Sequence, residues 1–228
     1  MSESNVKVSE NASYGVVLTD GLTSDQITLD YAVASPIYGV QQVQFADGTM
    51  WTGAQLLQMA MTGTAWADTL YGSPGNDLLN GEGGTDTVYG DAGSDTYVLD
   101  PGYGTLTVVN GMAGNSNVPS GELSIGNENP SDIWLQQVGK DLHVDIMGSS
   151  TEATIQGWFG NSYSQLSGLT VNGGSAGTLT LDNAQVSQLV QAMATFSSAN
   201  PGFDPTAMSN PTITDQTVLA AVSSSWHQ

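Results

Sequence analysis

The amino-acid sequence contains no cysteine and no arginine, and its only basic side chains besides histidine are Lys7 and Lys140. Without cysteine, the chain has no disulfide, no thiolate zinc site and no cysteine nucleophile. Because phosphate groups are bound by lysine and arginine, a nucleic acid is excluded as a partner, and so is an anionic membrane surface. No apolar run reaches about 18 residues, so we expect no membrane insertion.

The first residues also lack the features of an export leader. They contain no basic start and no apolar stretch, and we therefore expect no cleaved signal peptide. Acidic residues are abundant instead, since 22 aspartates and glutamates give a net charge of -20. Bound cations would relieve this self-repulsion. The 39% of hydrophobic residues exceeds what a disordered acidic tail contains, and 228 residues suffice for one ordinary domain or two small ones.

A repeat of nine residues occupies the middle of the sequence. Residues 72–80, 81–89 and 90–98 form three rows with glycine first, glycine fourth and aspartate sixth. The eighth position is apolar or aromatic, as Leu79, Val88 and Tyr97. An upstream row, residues 63–71, keeps Gly63, Asp68 and Leu70 but has Trp66 in place of the fourth glycine. In the row from Leu99, Gly104 takes the place of the aspartate, so the repeat ends there.

The chemistry of this repeat favours calcium. Glycine-rich turns expose main-chain carbonyls, and the sixth residue of each row adds a carboxylate. The last three residues of a row predict a short strand whose eighth side chain points inward. Two rows then make one coil of a parallel β-helix, so turns two rows apart stack. Calcium takes six to eight oxygens at about 2.3–2.6 Å in irregular geometry, whereas magnesium demands a strict octahedron. Asx turns in a surface loop do not account for four aspartates in phase with the glycines.

These rows resemble the GGxGxDxUx nonapeptides of repeats-in-toxin (RTX) proteins, also called haemolysin-type calcium-binding repeats. Residues 43–51, VQFADGTMW, resemble the FADGTxW segment often found just before such repeats. The end of the chain, with QLVQAMATF and SSSWHQ, resembles the C-terminal ends of type I-secreted bacterial proteins. The resemblance implies calcium ions as ligand and the type I export machinery as partner.

The resemblance also implies a ligand set, because calcium in the family lies between a turn and the turn two rows on. Asp77 would then pair with Asp95, and Asp68 with Asp86. The expected metal-site residues are Asp68, Gly72, Pro74, Gly75, Asp77, Gly81, Gly83, Gly84, Asp86, Gly90, Asp91, Ala92, Gly93 and Asp95. Trp66 puts the Asp68 pair in doubt, and Gly104 removes the partner for a third site. Position two, usually glycine, is Ser73, Glu82 and Asp91, whose carbonyls still serve.

The predicted fold is mainly β. It consists of a short calcium-binding parallel β-roll at residues 63–104 between two related β-rich units, residues 1–62 and 105–228, with two or three short helices. The two units are inferred from residues 38–60 and 163–194, which both show a strand, a glycine turn and an Ala-Gln start to a helix. Segments near residues 14–32 and 142–159 also correspond.

Three local elements are predicted in the C-terminal unit. Two alternating segments around Gly139 and Lys140 predict a hairpin with a two-residue turn. A helix is predicted from the capping residues at 182 and 183 to about Phe196. Apolar spacing predicts a final helix from about Thr214 to Trp226.

Catalysis is not expected. His143 lies on the polar face of a predicted strand, His227 lies near the end of the chain, and the sequence has no GxSxG motif. Paired acids of a glycosidase type are compatible with the composition, but most acids fall in the repeat or in scattered turns. A sugar-stacking surface could use Trp51, Trp134, Trp158 and Phe159, although these residues fit the cores of the β-rich units better.

The sequence thus predicts a non-catalytic calcium-binding RTX module of a type I-secreted bacterial protein, one that folds on calcium outside the cell or at its surface. Residues 210–228 are the candidate uncleaved export signal. The rival interpretation is a self-associating extracellular structural protein, a surface-layer, filament or matrix subunit assembled through calcium. A carbohydrate enzyme or adhesin is the third alternative.

Overall fold

The computed structural model describes residues 5–11, 13, 15–20, 25–30, 32, 40–111, 120–172, 177–207 and 213–228. The strands in this part of the chain are β1 (Lys7–Asn11), β2 (Gly15–Thr19), β3 (Gln26–Leu29), β4 (Gln42–Gln44), β5 (Met50–Thr52), β6 (Thr62–Thr64), β7 (Thr69–Tyr71), β8 (Leu78–Glu82), β9 (Gly84–Tyr89), β10 (Thr96–Leu99), β11 (Gly104–Val109), β12 (Glu122–Gly126), β13 (Ile133–Val138), β14 (Asp141–Ile146), β15 (Glu152–Ile155), β16 (Gly168–Asn172) and β17 (Thr178–Asp182). The helices are α1 (Gly53–Ala60), α2 (Asn183–Ala199) and α3 (Gln216–Ser225).

Two six-stranded sheets form the body of the molecule. One has the order β17-β16-β12-β10-β8-β6 and the other the order β13-β14-β15-β11-β9-β7. The strands of the nine-residue repeat enter these sheets alternately, so two rows make one coil. All pairs from β6 to β16 in the first sheet and from β7 to β15 in the second are parallel. The predicted mainly β fold with a parallel roll is confirmed.

The core of the roll is built from the eighth position of each row. Leu70, Leu79, Val88 and Tyr97 are all buried. Leu79 lies opposite Tyr97 on the neighbouring strand, and Leu70 lies opposite Val88, so these side chains stack coil on coil. Fully burying such an apolar side chain contributes roughly 1.5–3 kcal/mol.

The buried hydroxyl of Tyr97 has a polar partner in the core. It donates a hydrogen bond to Asn110 Oδ1 at 2.8 Å, and Asn110 Nδ2 donates to the carbonyls of Ser120 and Gln165 at 3.1 Å. This network joins the last nonapeptide row to the segments that follow it. It also stabilises the fold, because a buried hydroxyl without a hydrogen-bond partner costs free energy.

The sheets do not end with the nonapeptide rows. β11 and β12 add a further coil, and β15 and β16 pair with them in parallel. Tertiary pairing thus continues the roll through residues that carry no glycine and aspartate pattern. The division at residues 62/63 and 104/105 stays a prediction.

The two flanks contain the same elements in the same order. Each has a three-stranded antiparallel meander, β1-β2-β3 or β13-β14-β15, then a hairpin, β4-β5 or β16-β17. Each hairpin leads into a helix that begins with a capping box, formed by Thr52 with Gln55 and by Asp182 with Gln185. Residue 38, where the compared segment starts, lies outside the described residues.

The hairpin with its turn at Gly139 and Lys140 is confirmed, and Gly139 has a φ of 63°. The helix α2 ends at Ala199, beyond the predicted Phe196, where Asn200 closes it by donating from its main-chain amide and its side-chain Nδ2 to the carbonyl of Phe196. The last helix is shorter than the predicted span of residues 214–226, because the side chain of Asp215 caps it by accepting from two main-chain amides.

Aromatic residues serve as core. Trp51, Trp134 and Trp158 are buried and Phe159 is partly buried, as the core interpretation predicts. In the part of the chain that the structure describes, no helix is long and apolar enough to cross a bilayer.

Asp145 makes the stability of the C-terminal unit depend on pH. It is buried on β14, where Gln136 Nε2 donates to its Oδ2 at 2.8 Å, while its Oδ1 is buried with no hydrogen-bond partner among the described residues. Burial, with the charge of Glu152 nearby, raises its pKa from 3.8 to about 7. The folded state therefore favours the protonated acid, and this contribution to stability is complete below the unfolded pKa and is lost as the pH rises through about 7.

We expect Asp145→Asn to raise the free energy of unfolding near pH 8 by on the order of 2 kcal/mol, and to have little effect near pH 4. Urea unfolding at constant calcium over this pH range measures the difference. The matched variant Asp25→Asn alters an exposed acid of the N-terminal unit, which is not among the charges that act on Asp145, and should leave the pH profile unchanged. An equal effect of Asp145→Asn at both pH values would contradict the assignment.

Candidate calcium-binding site

The turns of the roll stack with a spacing of two rows. The main-chain amide of Asp77 donates to Asp95 Oδ1 at 3.0 Å, and the amide of Asp68 donates to Asp86 Oδ1 at 2.9 Å. The resemblance implies the same two aspartate pairs as calcium ligands, and that role stays a prediction. Each pair joins the last turn residue of one coil to the same residue of the next.

Asp68 and Asp77, the aspartates of the first coil, also accept hydrogen bonds from the second residue of their own rows. Asp77 Oδ2 accepts from the amide of Ser73 at 2.6 Å, and Asp68 Oδ2 accepts from the amide of Thr64 at 2.6 Å. The hydroxyls of Ser73 and Thr64 donate to the same carboxylates. Sequence reasoning missed that the second residue of a row can hydrogen-bond to the aspartate of the same row. The hydroxyl residues Thr64 and Ser73 at this position are the signal that could have shown it.

Glycine lets the stacked turns approach closely. A Cβ on Gly72 would lie 2.6 Å from the carbonyl oxygen of Gly90, and one on Gly84 would lie 2.6 Å from the carbonyl oxygen of Trp66. A Cβ on Gly93 would collide with the carbonyl of Gly75 in the same way. Main-chain carbonyls therefore line the space between successive turns.

The carboxylates of Asp86 and Asp95, in the second coil, also lie close to glycines. A Cβ on Gly81 would collide with the carboxylate of Asp86, and one on Gly90 would collide with the carboxylate of Asp95. Pro74, Gly83 and Ala92 lie in the same turns. The structure thus brings all the predicted site residues into two columns of turns.

Asp86 and Asp95 are buried carboxylates. Each is 2% exposed, and neither forms an ion pair with a lysine in the part of the chain that the structure describes. Desolvation, with the nearby charge of Asp68, raises the pKa of Asp86 to about 6. Desolvation, with the charges of Asp77 and Asp91, raises the pKa of Asp95 to about 7. Burying charge in this way is unfavourable unless a cation compensates it.

The donor set fits calcium. Among the described residues, no group of three or more acidic or histidine side chains is placed to hold a metal ion. An ion between the turns would therefore take part of its coordination from carbonyl oxygens, and calcium accepts such mixed ligands. The residues present fit calcium in kind, because carboxylates and main-chain carbonyls lie close together in the stacked turns.

The Trp66 row keeps the geometry of the other rows. The side chain of Trp66 is 80% exposed and points away from the stack, while its main chain lies over Gly84. The hydrogen bond from Asp68 to Asp86 matches the one from Asp77 to Asp95. The lost glycine is tolerated because the tryptophan has solvent on its outer side.

The second residue of the rows at residues 81–89 and 90–98 has a strained backbone conformation. Glu82 and Asp91 have φ values of 60° and 61°, in the left-handed region that favours glycine. Replacing Glu82 by glycine should therefore stabilise the metal-free protein by about 0.5–1 kcal/mol, because the strain relieved exceeds the entropy that glycine adds to the unfolded chain.

Chemical unfolding in chelator would measure this gain. Glu82→Ala is the matched control, since it removes the same charge and keeps the strain. Equal stabilisation by alanine and glycine would show that charge, rather than backbone conformation, limits this turn.

Two family models match the chain at these places. The RTX calcium-binding nonapeptide repeat, in four copies, matches residues 62–97. The chain carries RTX calcium-binding repeats. Their four copies include the Trp66 row, and calcium is the ion that such repeats bind. The haemolysin-type calcium binding protein related domain matches residues 16–55, within the N-terminal unit. No curated protein sequence matches the chain.

Proposed function

We propose that the chain is a non-catalytic RTX module that binds calcium between the stacked turns of its roll. The observation that carries this proposal is the burial of Asp86 and Asp95 among main-chain carbonyls, with no lysine paired to either acid in the part of the chain that the structure describes. Asp77 and Asp95 form one ligand pair, and Asp68 and Asp86 form the other. Gly72, Pro74, Gly75, Gly81, Gly83, Gly84, Gly90, Asp91, Ala92 and Gly93 supply carbonyls or shape the turns.

Calcium titration by calorimetry on the full chain tests this function. We expect one or two calcium ions per chain, and no binding in a variant with all four aspartates, at 68, 77, 86 and 95, replaced by asparagine. A full chain that binds no calcium at millimolar concentration would refute the proposal. Light scattering at saturating calcium separates the rival, because a monomer supports the module and calcium-dependent oligomers support a self-assembling structural protein.

The same proposal places the module outside the cell, or at its surface, as part of a type I-secreted protein. RTX repeats support this placement, as does their need for calcium, because weak sites stay empty where free calcium is low. An open, metal-free chain can pass through a narrow channel, and the aspartate-lined turns then close around calcium outside.

The C-terminal segment is the proposed address for the type I export machinery. In the folded chain, the apolar side of α3, with Val218 and Val222, is buried, and His227 pairs with Thr180 on β17. An exporter would therefore have to read this segment before the chain folds. Residues 210–212, where the segment begins, lie outside the described part of the chain.

Deleting residues 210–228 should abolish secretion from a host that carries a matching type I exporter. The purified truncated chain should still bind calcium, because the roll lies elsewhere. Secretion is measured as the fraction of protein in the medium, with the full chain in parallel. Normal secretion of the truncated chain would show that α3 has only a structural role.

A further inference from the structure

The two β-rich units repeat at a fixed distance along the chain. The strands β1, β2, β3 and β4 start at residues 7, 15, 26 and 42. The strands β13, β14, β15 and β16 start 126 positions later, at residues 133, 141, 152 and 168. The two units therefore share their strand spacing as well as their element order.

Strand register repeats in the same way. In the N-terminal unit, Val16 lies opposite Leu29 and Leu18 lies opposite Ile27. In the C-terminal unit, Leu142 lies opposite Ile155 and Val144 lies opposite Ala153, each 126 positions later. Because register decides which side chains share a face, equivalent residues of the two units point the same way.

The C-terminal unit covers the end of the roll. β15 pairs in parallel with β11, so that Ala153 lies opposite Leu106 and Ile155 opposite Val108. In the other sheet, β16 pairs in parallel with β12. This unit thus removes the open edge that each sheet would otherwise present to solvent.

In the part of the chain that the structure describes, the equivalent strands of the N-terminal unit have no such neighbour. Within the described residues, β3 is the edge of the sheet β1-β2-β3, and β4 pairs with β5 alone. The N-terminal unit contacts the roll of this chain through β1, at the opposite edge of its sheet, where Glu10 Oε2 accepts a hydrogen bond from the amide of Tyr71 at 2.8 Å. One edge of β3 and one edge of β4 therefore lack a strand partner among the described residues.

Apolar side chains mark the same face. Ile27 is 60% exposed, whereas its equivalent in the C-terminal unit, Ala153, is 0% exposed against the roll. Val40 is 37% exposed, whereas its equivalent, Leu166, is 0% exposed. Two largely apolar clefts, of about 310 and 530 Å³, open beside these residues. The residues that bury the end of the roll in one unit remain exposed in the other.

We infer that the N-terminal unit is the cap of a second roll. β3 and β4 pair in parallel with the last two strands of an RTX-type β-roll that lies outside residues 1–228. A second copy of this chain does not provide that surface, because β15 and β16 already cover the end of its roll. The inference rests on strand pairing and goes beyond the calcium sites proposed above.

The repeat distance supplies the experiment. Residues 62–126 of the chain are fused directly ahead of Met1 of the full chain, so that Gly126 of the added segment precedes β1 at the same distance as it naturally precedes β13. Hydrogen exchange is measured in calcium for β3 and β4. We expect their amides to exchange about 100-fold more slowly than in the unextended chain, as closed sheet edges do.

A pair of variants of the extended chain makes the test specific. Ile27→Lys should remove the protection, because it places a charge where Ala153 is buried in the C-terminal unit. Val138→Lys, at a strand residue that is 48% exposed and away from the proposed contact, should retain it. Equal protection in both variants would show that the face of Ile27 is not the contact.

The native roll in the same molecule is the internal reference. If neither roll binds calcium, the proposed function fails, while protection of β3 and β4 still reports on the cap. If the native roll is folded but the added one stays unfolded, or folds without protecting β3 and β4, the cap inference is overturned. It is also overturned if the unextended chain forms dimers that protect these strands.

Discussion

Excess chelator is expected to lower the melting temperature of the protein sharply, and excess calcium to restore it. Without the metal, Asp86 and Asp95 are buried as uncompensated acids next to Asp68 and Asp77. The glycine-rich turns that hold them are also costly in backbone entropy, at about 1–2 kcal/mol for each residue fixed. The hydrogen bonds from the amides of Asp68 and Asp77 offset only part of the cost of burying these carboxylates, since their pKa values remain raised.

The size of the effect follows from linkage. One site filled at 100 times its dissociation constant adds about 2.7 kcal/mol, so two sites add roughly 5 kcal/mol. This equals the entire stability of some domains. Two bound calcium ions would leave most of the net charge of -20 in place, so local coordination rather than global neutralisation must cause the effect.

Thermal unfolding followed by circular dichroism measures this change. Magnesium in place of calcium is the control, because its strict octahedron suits the turns poorly and it should restore less stability. Melting curves that coincide with and without chelator would contradict the prediction.

Asp95→Asn should produce opposite changes in calcium affinity and in metal-free stability. The asparagine keeps one oxygen in the position that accepts from the amide of Asp77, but it loses the negative charge. We therefore expect calcium to bind at least about tenfold more weakly, since the charge of the ligands sets the affinity of such sites. The metal-free protein should gain on the order of 2 kcal/mol near pH 8, because burial raises the pKa of Asp95 to about 7.

Two further substitutions rank the sites. Asp68→Asn should weaken calcium binding less, because Asp68 is only half-buried and lies in the first coil of the roll. Asp47→Asn is the matched control, since Asp47 is exposed in the turn at residues 45–49, where it accepts from the amide of Thr49. Calorimetry and chelator-based unfolding give the two quantities. A larger loss of affinity from Asp47→Asn than from Asp95→Asn would reverse the assignment.

The local features of the fold could be predicted from particular residues. Glycine and aspartate at a spacing of nine predicted turns and coils, and Leu79, Val88 and Tyr97 predicted the core side of the strands, because strand side chains alternate between faces. The pairs Asp77 with Asp95 and Asp68 with Asp86 were implied by the resemblance to RTX repeats, in which calcium lies between turns two rows apart. The hairpin at Gly139 followed from alternation and a glycine turn.

Burial of the site residues could not be predicted in this way. The four aspartates look alike in the sequence, yet Asp86 and Asp95 are buried while Asp68 and Asp77 are half-exposed. The difference depends on which coil lies above each residue. The strained φ of Glu82 and Asp91 likewise depends on how the inner turns are stacked.

By itself, the sequence determined the repeat, the chemistry of its turns and its family likeness, because these depend on residues close together along the chain. Only the tertiary structure decided how far the roll extends and what closes it. β12 pairs with β16 across more than 40 residues, and β11 pairs with β15 across a similar distance, with no nonapeptide pattern in any of the four strands. Parallel pairing joins main-chain groups that every residue carries, so the partner of each edge is chosen by the packing of the whole chain rather than by a local motif.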